Sequence, residues 1–305
     1  MIQTPRPSDL LSCLLSRNTP LNNVARTRDS LFLSQTHAPL ITILRQVFFP
    51  EGKRYVLVCI EQNRLRGVVS SRARAGASVW EVNQLLLPIG EERLAALLLD
   101  KVGHYGSQMG AHKIFLRIER NSLVMETARQ AGFLPRSTEY LFRIENEARY
   151  APPSLPAENL KAKTDSDEFH IFHLYSAITP PTLMQTDGMT LQEWQASRDR
   201  CKGRELVYQE GDSVMGWLRL SMIKGAGVFE LMALPSASGL EETMIEYSLA
   251  QLRQAPTTYC IAQEHQTTLH HLCIRRGFQP MGEYSVLLKQ VAVPLPQPSL
   301  APLQV

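Results

Sequence analysis

Tyr55 to Ile60 is an unbroken apolar, β-rich run, a polar turn joins it to a second β-rich run, Leu65 to Ala73, and a third run, Val79 to Leu87, follows the break at Ala75-Gly76. The pattern predicts an antiparallel meander. Downstream the same order returns as Leu206 to Gln209, a turn at Gly211-Asp212, Val214 to Met222, the break KGAG, and Val228 to Leu234. Behind each meander the period changes, because Leu94, Leu97, Leu98, Val102 and Tyr105 recur at helical spacing, as do Ile245, Leu249 and Leu252. Each helix leads into an apolar strand, KIFLRI or TYCIAQ, and then into a second helix.

That second helix ends in a phrase written twice: ARQAGFLPRSTEYLF at 128–142 and CIRRGFQPMGEYSVL at 273–287. Gly132 and Gly277 stand where a left-handed residue closes a helix, and Arg129, Arg275 and Arg276 suit its negative end. The closing strands are Glu139 to Ile144 and Glu283 to Lys289. Other positions match too: Gly67 with Gly216, Trp80-Glu81 with Phe229-Glu230, and Pro88 with Pro235, at a separation that narrows along the chain as short loop deletions would make it. The fold class expected is α+β (α/β), with two tandem copies of a mixed, mostly antiparallel sheet flanked by helices, each copy closing its own sheet. The copies span 1–149 and 160–291, the Pro-rich stretch 150–159 links them, and the Pro-rich tail 292–305 is expected to be extended and poorly ordered.

Composition narrows the function classes. A chain of 305 residues with 44% apolar content can bury two modest cores. Its 32 basic and 29 acidic side chains leave a net charge of +3, spread too thinly to track a nucleic-acid backbone. The five cysteines show no C-x-x-C spacing, which fits a reducing cytoplasm, and neither an export signal nor a membrane span is expected from the opening MIQTPRPSDLLSCLLSRN. His170, His173, His265, His270 and His271 lack acidic or thiol co-ligands at a recognisable spacing, so no metal is expected.

The order of three strands, helix, strand, helix, Gly-Phe and strand resembles the GNAT superfamily of N-acetyltransferases, in tandem, over roughly residues 50–145 and 160–290. The resemblance implies that the strands flanking the first helix of each copy splay apart. It further implies that acetyl-CoA lies in the gap, its pantetheine arm paired to backbone. The acceptor would be a small-molecule or peptide amine, with no nucleic acid or membrane partner, and the two copies would pack as an internal pseudo-dimer, the oligomeric state being left open.

The family's marked positions fall here on altered residues. Its Asn is kept as Asn121, but the Tyr seven residues on is Ala128; in the second copy the same count lands on Gln266 and Cys273. The pyrophosphate loops correspond to LPIGEERLAAL at 87–97 and LPSASGLEETM at 234–244, where Glu91-Glu92 and Glu241-Glu242 would repel a phosphate. Cofactor contacts are thereby expected at Leu86, Leu87, Gly90 and Asn121 in the first copy, and at Ala233, Leu234, Ser236, Ser238, Gly239 and Gln266 in the second. Glu81 and Glu230 are the candidate bases, with apolar neighbours expected to desolvate Glu230, and Cys273 is a candidate proton donor or a plain core residue. Two functions stand: acyl-CoA-dependent N-acyl transfer through the second copy, or a binding or assembly module that has lost the chemistry.

Overall fold

The computed structural model describes residues 2–10, 20–32, 39–48, 53–146, 159–188, 190–199 and 202–292. All of the linker but its last residue, and all of the tail beyond its first, lie outside the described residues. Two short strands, β1 (Ile2–Gln3) and β2 (Asn22–Asn23), and a helix α1 (Pro39–Phe48) come first. The first meander is β3 (Arg54–Glu61), β4 (Arg64–Ala73) and β5 (Val79–Leu87), followed by α2 (Glu92–Gln108), β6 (Lys113–Glu119), α3 (Val124–Gln130) and β7 (Leu134–Glu145). The second half opens with β8 (Leu160–Ala162) and three helices, α4 (Glu168–Ile178), α5 (Pro181–Asp187) and α6 (Leu191–Ser197). Then come β9 (Arg204–Glu210), β10 (Ser213–Ile223), β11 (Ala226–Ala233), α7 (Leu240–Gln251), β12 (Thr257–Gln263), α8 (Thr267–Arg276) and β13 (Gln279–Gln290).

Local chemistry accounts for the boundaries. Gln62 and Asn63 both take positive φ, which makes the tight turn between β3 and β4. Gly132 and Gly277 adopt φ of +83° and +97° where their helices end. Trp80, Val82, Leu94, Leu98 and Val102 pack into one core, while Phe229, Leu231, Met244, Ile245 and Leu249 fill its counterpart. Glu81 and Glu230, each beside an aromatic that enters a core, therefore project to the opposite face of the sheet.

The expectation that each copy closes its own sheet is corrected. Strand order runs β1-β3-β4-β5-β6-β13-β7-β12-β11-β10-β9-β8, so the last strand of each half lies against the other half. β13 pairs antiparallel with β6, β7 pairs antiparallel with β12, and β7 and β13 pair with each other. The exchange covers what would otherwise be open strand edges in both halves. Nor does all of the narrowing repeat distance arise in loops: Val82 opposes Ser71 and Gln84 opposes Ser70, so Asn83 is a bulge inside β5.

Candidate functional site

Two gaps interrupt this sheet. β5 and β6 run parallel and stay in register only from Val79/Lys113 to Val82/Leu116, and β11 and β12 only from Gly227/Thr258 to Phe229/Cys260. Beyond those points each pair parts, so the backbone groups of the two strands no longer bond to each other and need other partners.

The gaps are filled differently. In the first, the chain's own residues 22–26 lie between the parted strands: Val24 N–H donates to Leu85 O at 2.9 Å, Leu85 N–H to Asn23 Oδ1 at 2.8 Å, and Arg26 N–H to Arg117 O at 2.8 Å. Leu86 and Leu87 pair in register with Asn23 and Asn22, which occupies two of the first copy's expected cofactor contacts. In the second gap, among the described residues, the side chain of Gln266 spans the strands. Gln266 donates from Nε2 to Leu231 O and accepts at Oε1 from Gln263 N–H, both at 2.8 Å.

The loops at the helix starts differ as well. Gly239 holds φ of +78° before α7, and a side chain there would meet nothing within 4 Å; Ser236, Ser238 and Gly239 are all exposed. Among the described residues, the N–H groups of Gly239, Glu241 and Glu242 have no backbone partner, the donor arrangement from which a helix start can cradle an anion. The acidic residues weigh less here than their sequence suggests, because Glu242 is bound to Arg275 at 2.6 Å and burial raises the Glu241 carboxyl above its ordinary value. Gly90 in the first half has a similar φ of +85°, but Glu91 beside it is tied to Arg66.

Between the halves, at the mouth of the second gap, lies a cavity of about 150 Å³. Tyr175, Thr179 and Trp194 from the front helices form one wall, and Leu231, Met232 and Gln266 form the gap side. Its floor is an ion network. Asp199 is shared by Arg28, Arg74 and Arg117 at 3.0, 3.1 and 3.0 Å, and Glu139 by Arg28 and Arg117 at 2.9 and 2.7 Å. Burial alone would raise the Glu139 carboxyl, but Arg117 and Arg28 outweigh it and hold the group down at about 2; Asp199 is likewise held well below the usual carboxylate range against its burial, by Arg117, Arg74 and Arg28. On the rim, burial pulls Arg136 down to about 10, with Arg74 adding like charge. Burial and then Arg136 also lower His265, whose Nδ1 is buried without a hydrogen-bond partner. Burial raises the Tyr175 phenol, keeping it protonated.

The sequence-derived residues are only partly gathered here. Glu230 lines the cavity, but its oxygens face Arg28 and Arg219 instead of the apolar neighbours expected. Glu81 is buried in an ion pair with Arg72 at 2.6 Å and a longer contact to Arg74 at 3.5 Å. Cys273 is fully buried in the helix-side core, so it has no path to a leaving thiolate; the plain core reading describes it. Asn121 is exposed in the turn after β6. Ala233 faces the gap by ladder alternation, whereas Leu234 gives its N–H to Met215 O on the other side. Arg28, Arg117, Glu139, Asp199 and Tyr175 were not anticipated as site residues, and His265 was weighed only as a metal ligand; a charge inside the apolar run KIFLRI was the one local sign of Arg117.

No protein-family model matches the chain, and no curated protein matches it. Solved structures do. A GCN5-related N-acetyltransferase from Sphaerobacter thermophilus aligns at 13% identity over 95% of each chain with a TM-score of 0.54. A tandem GNAT protein from the clavulanic acid biosynthesis pathway aligns at 12% identity over 95% of this chain and 98% of that one, with a TM-score of 0.50. A functionally unknown conserved protein from Staphylococcus epidermidis aligns at 12% identity over 80% and 94%, also at 0.50. These likenesses show a GNAT fold.

Proposed function

We propose, with the GNAT fold as premise, that the chain is an acyl-CoA-dependent N-acyltransferase that works through the gap between β11 and β12. One observation carries this reading: the second gap is crossed by the side chain of Gln266 and opens onto both the Gly239 cradle and the cavity, whereas the first is filled by a segment of the chain, residues 22–26. The residues fit the cofactor. Gly239 leaves room for a phosphate above N–H groups, and Leu231 and Ala233 turn peptide groups towards a pantetheine arm. When bound, acetyl-CoA supplies a thioester carbonyl as the acyl donor.

The cavity then receives the acceptor amine beside that carbonyl, with Trp194 and Trp217 giving it apolar walls. The amine must shed a proton as it forms the amide. Glu230 remains a candidate for that proton, but Arg28 and Arg219 already hold its oxygens, and the neutral ring of His265 offers an unused Nδ1 in the same cavity. Tyr175, protonated on the facing wall, can return a proton to the leaving sulfur in place of the Tyr that Ala128 and Cys273 replace.

The competing reading, a binding or assembly module without chemistry, draws on Gln266 lying across the gap. A thermal-shift titration separates the two. At 100 times its dissociation constant acetyl-CoA should stabilise the fold by about 2.7 kcal/mol. An unmoved midpoint at millimolar acetyl-CoA removes the transferase reading and leaves the module.

A further inference from the structure

Residues 22–26 use up the peptide edges that the parted strands β5 and β6 would offer to a ligand. Hydrogen bonds of 2.8–2.9 Å tie the segment to Leu85 on one side and Arg117 on the other. Asn23 is buried and Ala25 is wholly enclosed in the first half's core, so the segment is packed as well as bonded. Beyond the gap, Thr27 and Ser30 cap a single tight turn, with Thr27 N–H to Ser30 Oγ at 2.8 Å and Ser30 N–H to Thr27 O at 2.9 Å. That turn delivers Arg28 to the second half's cavity, where it meets Glu139, Asp199 and Glu230. A segment that fills one half's gap thus seats a guanidinium in the other half's site.

We propose that residues 22–26 are a self-ligand, standing in the first gap where a pantetheine arm would stand and limiting the chain to one acyl-CoA. The inference rests on reading such a gap as a cofactor site, and it explains why the two gaps of a duplicated fold are occupied differently. A neutral pantetheine arm matches the groups involved, because Val24, Asn23 and Arg26 engage the gap through an amide N–H, an amide oxygen and a second amide N–H. The acidic loop at Glu91 and Glu92 would oppose only the phosphate end of the cofactor.

The test is native mass spectrometry of the full chain and of Val24→Pro, which removes the N–H given to Leu85, with acetyl-CoA and separately with pantetheine. The expected result is one ligand on the wild type and one more on the variant. Two ligands on the wild type, or no additional ligand on the variant, would overturn the proposal. None on the wild type and one on the variant would uphold the self-ligand while removing the proposed function of the second half. Should Val24→Pro fail to fold, hydrogen exchange on the wild type answers the same question. Pantetheine competing for the gap should speed exchange at Val24 and Arg26 several-fold, and unchanged rates at millimolar pantetheine would overturn the proposal.

Discussion

The side-chain amide of Gln266 donates to the carbonyl of Leu231 at 2.8 Å, joining two strands that have otherwise parted. A cofactor arm entering that gap must displace this bond. Gln266→Ala should therefore bind acetyl-CoA more tightly, by roughly 1 kcal/mol or about fivefold in Kd, and should lose a similar amount of fold stability. Isothermal titration with a parallel urea melt checks both signs; weaker binding would mean that Gln266 holds the cofactor instead of the closed gap.

Gly239 and Gly90 make a matched pair, since both hold positive φ with open space around them. Gly239→Ala and Gly90→Ala should each cost about 1 kcal/mol of stability through left-handed strain. Only Gly239→Ala should also weaken acetyl-CoA, about fivefold or more, by crowding the N–H cradle. Equal Kd values for the two variants would detach the cradle from binding.

Acid should unfold the protein by way of Glu139. Its carboxyl falls from an ordinary 4.5 to about 2 in the fold, so the unfolded chain takes up the proton first as pH drops. The stability this group contributes is complete above about pH 5 and is lost as pH falls from there towards 2. Urea midpoints between pH 6 and 3 should decline, and Glu139→Gln should flatten that decline while costing about 3 kcal/mol at neutral pH, because Arg117 keeps a buried charge with less to balance it. A decline unchanged in the variant would assign the acid sensitivity elsewhere.

Cys273 sits wholly in a core beside α7 and β12. Cys273→Ala should leave acetyl-CoA affinity unchanged and lower stability by about 1 kcal/mol. Loss of binding at intact stability, measured by titration and melt on one preparation, would return the thiol to the site.

Periodicity made the repeated half legible: the meanders, the paired helices and the Gly132 and Gly277 caps all follow from local signals that each residue carries in its neighbours. Strand exchange was hidden because β7 and β13 carry the same kind of pattern, and alternation fixes which face a residue takes, not which strand lies beside it. The ion network was hidden for a related reason. Arg28, Arg117, Glu139 and Asp199 come from four separate stretches of chain, and only the fold brings them within 3.0 Å of their partners. The strap at 22–26 carries no motif, since it bonds through main-chain groups and one Asn oxygen.

Whether acetyl-CoA enters the gap between β11 and β12 is decided by hydrogen exchange with and without saturating cofactor. New protection is expected at Leu231, Ala233 and the Gly239–Glu242 turn, with Leu85 to Gly90 unchanged. Protection confined to Leu85 to Gly90, or none in either half, would contradict it.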